Sequence, residues 1–417
     1  MTTPRPRPPV PTVIGAIVFL QGMGVAIPLG PLDWQIRSVV LPAIIAVAWF
    51  VLPSARPAAE TKIDLSVLAV AMWLSLSALW TTAPSVDVVK LLLFVLVASF
   101  CTHFGTAAFD TSSLLDSLAV MMAVTLAAVA VYALARPGQS FSGNDADAAF
   151  GGSTGMRSFF AHKNGLGMLL AFGIALVPAV RPVPARALYT TTVVVLLLLA
   201  NSSTAIIAAA CVAIGQVLVS RAAAERRRGP RGAVFLVVSA GIVLSGSVVA
   251  GREFLLELFG KDPTLTGRSA IWSASIDGAR ARPLTGYGLD GFWQAGNEAA
   301  YRVQRVAEFD VSSSHQGVID LWLTGGAVAV ALYVVLLGGL VVMLARRILV
   351  GDGGPTTLVA FGLVAVITVV SLSESNLTAP GLPVLALTSG LLLNVPATTR
   401  AAPDRPLHVS TRGIEPT

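Results

Sequence analysis

The chain has 417 residues, of which 55% are hydrophobic and only 12% charged. Soluble domains carry roughly 25% charged residues, so this balance excludes an ordinary soluble globular protein and points to a polytopic membrane protein. The net charge of +6 does not indicate nucleic acid, because the basic residues lie in short segments between apolar runs rather than on a polar domain.

Twelve apolar stretches read as membrane spans, each near the ~20 residues a helix needs to cross a bilayer. They lie near 12–29, 38–53, 64–81, 88–104, 113–135, 164–180, 187–200, 203–220, 232–250, 316–345, 356–373 and 379–396. Those at 38–53 and 187–200 are short and must extend or tilt. The first follows a Pro- and Arg-containing start without a small-residue cleavage site, so no cleavable signal is expected. Cys101 and Cys211 both fall in apolar runs and read as small buried hydrophobes.

Positive charge in short connections marks the cytoplasmic side. Alternate connections hold Arg5 and Arg7; Arg56 and Lys62; Arg181 and Arg186; Arg221, Arg226, Arg227, Arg228 and Arg231; and Arg346 and Arg347, with Arg400, Arg405 and Arg412 in the tail. The short connections of the other set hold only Arg37 and Lys90. The predicted architecture is therefore all-α. Residues 1–11 form a cytoplasmic tail, 12–250 carry spans one to nine, 251–315 form a large extracytoplasmic loop, 316–396 carry spans ten to twelve, and 397–417 form a disordered cytoplasmic tail. No convincing internal repeat is present.

The candidate chemistry lies in the two long outer loops. Asp145-Ala-Asp147 has the spacing of a metal–nucleotide-sugar motif, but nucleotide sugars are absent outside the cytoplasm, and solvated loop carboxylates are the preferred reading. Arg157, His162, Lys163 and Asn164 cluster where the chain re-enters the membrane. Cations there can hold phosphate oxygens, Arg as a fork and Lys as a point charge, or simply snorkel to the interface. Asn201-Ser202-Ser203-Thr204 reads as a tight outer turn or as a site of close helix packing.

In the second loop, residues 268–280 can form an amphipathic helix, with Ile271, Trp272 and Ile276 towards one side and Arg268 near its start. Tyr287, Phe292 and Trp293 are separated by glycines that can present their rings to sugar faces, although aromatic residues also form interface belts. Around 301–309, Val303, Val306 and Phe309 fall on one side, away from Arg302 and Arg305. His315 begins a long span beside three serines. It is either structural or suited to proton transfer, since imidazole titrates near 6.5 when unperturbed.

Four blocks together carry a resemblance. They are Arg157-Ser-Phe-Phe-Ala-His-Lys-Asn-Gly-Leu-Gly167; Ser202-Ser-Thr-Ala-Ile-Ile207; Leu265-Thr-Gly-Arg-Ser-Ala-Ile-Trp272 with Arg282-Pro-Leu-Thr-Gly-Tyr-Gly288; and Ser314-His-Gln-Gly-Val-Ile-Asp-Leu-Trp-Leu-Thr-Gly-Gly326. In this order they resemble the O-antigen ligase/polymerase superfamily over about residues 150–330, and look most like its succinoglycan-type exopolysaccharide polymerases. Ligases of the superfamily usually carry Ser-Arg where this chain has Ser202-Ser203, which favours a polymerase.

The resemblance implies a GT-C-like membrane glycosyltransferase that needs no metal or other cofactor. It would transfer glycan with inversion from an undecaprenyl-pyrophosphate-linked oligosaccharide to a glycan acceptor, on the outer side of the cytoplasmic membrane. By motif, Arg268 would hold the pyrophosphate and His315 would orient or deprotonate the acceptor hydroxyl. Arg157, Lys163 and Asn164 would complete the anion site, and Tyr287 and Trp272 would contact substrate. A flippase and chain-length or export proteins are the implied partners. A ligase is the nearest alternative, and a transporter of a lipid-linked sugar or small solute the alternative of another class. Against transport stand the few ionisable residues deep in the spans.

Overall fold

The computed structural model describes residues 64–81, 111–141, 155–160, 162–226, 268–307 and 311–393. Among them every regular element is helical: α1 (Leu65–Leu76), α2 (Thr111–Ala135), α3 (Pro137–Ser140), α4 (Lys163–Leu176), α5 (Val183–Ala200), α6 (Ser203–Arg226), α7 (Arg268–Ala281), α8 (Glu298–Ala307), α9 (Gly317–Leu349), α10 (Pro355–Val370) and α11 (Leu382–Leu393). Each predicted span at 64–81, 113–135, 164–180, 187–200, 203–220, 316–345, 356–373 and 379–396 overlaps one of these helices, with residues 394–396 outside the described residues. The spans at 12–29, 38–53, 88–104 and 232–250 lie outside the described residues.

Among the described residues, four segments are long and apolar enough to cross a membrane: Leu114–Ala135, Val183–Ala200, Ser203–Glu225 and Gly317–Leu349. The short stretch predicted at 187–200 extends backwards in α5 to Val183, because Pro184 fits the first turn of a helix, where no backbone N–H is required. α5 ends on Asn201, which takes the left-handed conformation that closes many helices.

The apolar elements form one bundle. α4, α6 and α10 pack against one another, α9 packs on α1, and α11 is buried along almost its whole length. Small residues set the approach of these helices, as expected where lipid provides no hydrophobic drive for association. At Gly167 a Cβ would lie 2.7 Å from Ala205 Cβ and 2.8 Å from Ser202 Cβ. The glycine therefore lets the start of α6 press against the start of α4. Cys211 is buried, as its apolar surroundings imply.

Chain direction sorts the polar groups to the two ends of the bundle. At one end, Arg347 pairs with Asp352 at 3.2 Å and donates to the Leu392 carbonyl at 2.8 Å, closing the C-terminus of α11. Arg181, Arg186, Arg221 and Arg346 lie at that end too, at helix termini that point away from His315. The starts of α4, α6 and α9 lie at the opposite end, with the segment that follows α10.

At that opposite end α7 and α8 form a separate small core. Ile271, Ala279, Phe292, Ala299, Val303 and Leu323 are buried together. In α7 the buried positions are Ile271, Ser275, Gly278 and Ala279, the spacing of one helical face. In α8 only Val303 follows the predicted pattern. Val306 is 50% exposed, and Phe309 lies outside the described residues.

The span predicted as continuous at 316–345 is broken. α9 has 33 residues, which at 1.5 Å per residue is about 50 Å, well beyond the ~30 Å hydrocarbon layer. Gly326 interrupts it with φ 71° and ψ −172°, a conformation open essentially to glycine alone. The break orphans backbone groups on both sides, and the 283–288 loop pairs with them. Tyr287 N donates to the Leu323 carbonyl at 2.7 Å and Gly288 N to the Thr324 carbonyl at 2.8 Å, while Ala327 N donates to the Pro283 carbonyl at 2.8 Å. Trp73 Nε1 donates to the Gly325 carbonyl at 2.7 Å, and Trp322 Nε1 to the Pro283 carbonyl at 2.9 Å.

A Cβ at position 326 would sit 2.0 Å from the Leu284 carbonyl oxygen, whereas one at Gly338 would meet nothing within 4 Å. Gly326→Ala is therefore expected to destabilise the protein by about 3 kcal/mol, and Gly338→Ala to be neutral or slightly stabilising. Thermal unfolding of the two purified variants in detergent separates these outcomes.

Candidate active site

The site forms where the small core meets the bundle. The starts of α4, α6, α7 and α9 come together here, and the N-termini of helices present backbone N–H groups and positive dipole ends. The segment after α10, Ser371-Leu-Ser-Glu-Ser-Asn376, passes among them.

Glu374 is the hub. Its Oε1 accepts a hydrogen bond from Asn164 Nδ2 at 2.8 Å and lies 3.7 Å from Arg268 Nη2. Its other oxygen, Oε2, lies 3.8 Å from His315 Nδ1. Arg268 is anchored by its second nitrogen, Nη1, which donates to the Ser373 carbonyl at 2.9 Å. Asn164 is oriented in turn by Ser202 Oγ, which donates to its Oδ1 at 2.9 Å. Thr204 and Ser373 join their hydroxyls at 2.7 Å. Arg268, His315 and Asn164 come from three distant parts of the chain and meet on one carboxylate.

His315 is held in a left-handed backbone conformation with φ 54°, which costs an L-residue about 1–2 kcal/mol. The neighbouring groups maintain it. Ser314 N donates to both oxygens of Asp320, at 3.1 and 3.0 Å, and the Ser314 carbonyl accepts from Trp272 Nε1 at 3.0 Å. On the other side, Gln316 caps α9 by accepting from Ile319 N at 2.6 Å. Asp320 also accepts from Trp293 Nε1 at 3.1 Å and from the Ser375 hydroxyl. It thereby ties the small core, the His315 turn and the Glu374 segment together. Strained residues held in this way cluster at functional sites.

The other candidates are placed differently. Arg157 lies at the same end of the bundle, but its Nε donates to the Gln139 carbonyl at 3.2 Å. Lys163 is only 3% exposed, at the start of α4. Tyr287 is buried, its hydroxyl donating to the Gly278 carbonyl at 3.1 Å and its ring set edge-on to Phe292. The Arg282 guanidinium stacks over the same ring, 4.8 Å from its centre. The glycines beside Tyr287 thus serve the pairing with the α9 break rather than an open aromatic platform. Trp272 is engaged through its indole N–H in positioning the His315 turn. The Asn201–Thr204 segment is both a tight turn and a site of close helix packing, and Ser202 in addition orients Asn164.

Glu374 and Asp320 were not singled out from the sequence. Glu374 carried a usable signal, being the sole ionisable residue between Asp352 and Arg400; such residues in apolar regions usually mark functional sites. Asp320 lay inside a quoted block but had no recognisable partner until the fold supplied Trp293 and Ser375.

Part of this site lies in a segment similar to known proteins. Residues 188–334 match the O-antigen ligase family. That segment is about a third of the chain and contains Arg268, Trp272, Tyr287, His315 and Asp320, but not Asn164 or Glu374. The chain is also 30% identical over 200 residues to the exopolysaccharide production protein ExoQ of Rhizobium meliloti (strain 1021). This similarity spans 45% of this chain and 45% of that relative. Together with the apolar helices, the O-antigen ligase match identifies an integral membrane protein.

Asp320→Ala leaves Ser314 N, Trp293 Nε1 and the Ser375 hydroxyl without their acceptor. It is expected to lower stability by about 2 kcal/mol, and Trp293→Phe by about 1 kcal/mol. Unfolding midpoints in detergent give the order, and equal midpoints for Asp320→Ala and the unmodified protein would show that the clamp contributes nothing.

Proposed function

We propose that this protein is a membrane glycosyltransferase that polymerises undecaprenyl-pyrophosphate-linked oligosaccharide repeats into a surface polysaccharide or exopolysaccharide. The convergence of Arg268 and His315 on Glu374 carries this reading: a fixed cation and a proton acceptor flank one polar site at the end of an apolar bundle. In the proposed reaction the acceptor hydroxyl oxygen attacks the anomeric carbon of the donor. The bond from that carbon to the pyrophosphate breaks, and the electron pair leaves with the pyrophosphate. Arg268 stabilises the charge developing there, His315 takes the hydroxyl proton, and direct displacement inverts the anomeric centre. In this reading Arg157 and Lys163 extend the anion site, Asn164 and Trp272 hold the reacting side chains in place, Tyr287 supports the loop that pairs with the α9 break, and no metal takes part.

The proposed topology has twelve spans, both termini in the cytoplasm, and the site facing outward from the cytoplasmic membrane. The gathering of Arg181, Arg186, Arg221, Arg346 and Arg347 at the bundle end opposite His315 supports that orientation. The name of the Rhizobium relative favours a role in exopolysaccharide production. The description of the matching family favours a second reading, a ligase that moves finished lipid-linked glycan onto another acceptor. Flippase and chain-length or export proteins are the proposed partners in either case.

Deleting the protein should abolish long polymer and accumulate single lipid-linked repeats. Accumulation of long unattached lipid-linked polymer would make it a ligase, and normal pools of both would exclude the glycosyltransferase reading. Arg268→Ala and His315→Ala, expressed in the deletion strain, should each lower polymer by about 10²-fold or more with normal protein level and membrane insertion. Asp145→Ala combined with Asp147→Ala should leave polymer unchanged.

A further inference from the structure

We propose that Glu374 couples donor binding to activation of the acceptor, so that His315 becomes an effective base only once the pyrophosphate is in place. This rests on the functional reading above and adds a role for a residue that the family match does not reach.

Glu374 stands between Arg268 and His315 without closing on either. Its Oε1 is 3.7 Å from Arg268 Nη2 and its Oε2 is 3.8 Å from His315 Nδ1, both longer than a direct hydrogen bond. Its firm contact is with neutral Asn164, at 2.8 Å. The carboxylate is therefore tethered by an amide and shared between Arg268 and His315. Arg268 keeps its place independently of Glu374, because Nη1 is bound to the Ser373 carbonyl at 2.9 Å.

A pyrophosphate arriving at Arg268 competes with Glu374 for the guanidinium and repels its negative charge. A small rotation about the Asn164 tether moves the carboxylate towards His315 Nδ1, where a charge-assisted hydrogen bond forms. A carboxylate on one imidazole nitrogen fixes the proton there and raises the basicity of the other, as it does for metal-bound and triad histidines. Nε2 then takes the proton from the acceptor hydroxyl. No covalent step is added; the carboxylate exchanges the Arg268 guanidinium for the Nδ1–H of His315.

Glu374→Gln tests this directly. The glutamine carbonyl oxygen can still accept from Asn164, but the charge that competes at Arg268 and supports His315 is gone. Purified full-length protein in nanodiscs should bind undecaprenyl pyrophosphate as tightly as the unmodified protein, or more tightly. Polymer made by the same variant in the deletion strain should fall by about 10²-fold, and Glu374→Asp, which keeps the charge, should recover part of it. Polymer at the unmodified level from Glu374→Gln overturns the proposal. So does a loss of undecaprenyl pyrophosphate binding equal to that of Arg268→Ala, which would make Glu374 a structural support of the donor site. If Arg268→Ala and His315→Ala both polymerise normally, the functional reading itself fails, whatever Glu374 does.

Discussion

A helix cannot break in apolar surroundings unless something else takes up its backbone hydrogen bonds. At Gly326 the 283–288 loop does so, pairing with the carbonyls of Leu323 and Thr324 and with the N–H of Ala327. Those bonds fasten the small α7–α8 core to the bundle. Because Arg268 begins α7 and His315 precedes the first part of α9, the same fastening sets the distance between them. Trp73 in α1 and Trp80 shortly after its end add indole hydrogen bonds to the Gly325 and Thr285 carbonyls, so the junction is held from the bundle side as well.

Around this junction the polar groups are arranged in two tiers. Asp320 collects N–H and O–H donors from Ser314, Trp293 and Ser375 and keeps the strained His315 turn in place. Glu374, next to Ser375, faces the groups assigned to the reaction. One carboxylate is thus used to hold backbone and the other to hold charge. The division follows from their partners: Asp320 meets neutral donors that match its lone pairs, whereas Glu374 meets an amide, a guanidinium and an imidazole. Helix N-termini on several sides make the region favourable for an anion, and the basic connections at the far end of the bundle do not compete for it.

The helical bundle was legible from hydropathy because spans of this length leave a signal that needs no knowledge of partners. That residues 268–280 form an amphipathic helix was legible for the same reason, but of Ile271, Trp272 and Ile276 only Ile271 lies on its buried face, which Ser275, Gly278 and Ala279 complete. His315 and Asn164 stood out as polar groups beside apolar runs, and Arg268 as the cation at the start of an amphipathic helix. The role of the Gly-Tyr-Gly motif was not legible, since its reason lies in α9, more than thirty residues away. Tyr287 reads in sequence as a ring presented by flexible glycines, yet the glycines exist to let a loop backbone approach a helix break.

The sequence by itself determined the class of molecule, the positions of most helices and which cations could matter, because periodicity and charge placement are local properties. Only the tertiary structure decided that Glu374 joins Arg268 to His315, that Asp320 clamps the turn between them, and that a helix predicted as continuous is broken at Gly326. Each of these depends on groups far apart in the chain being brought within a few ångströms. Hydrogen bonds and ion pairs act only at that range, and nothing in the linear order of residues records it.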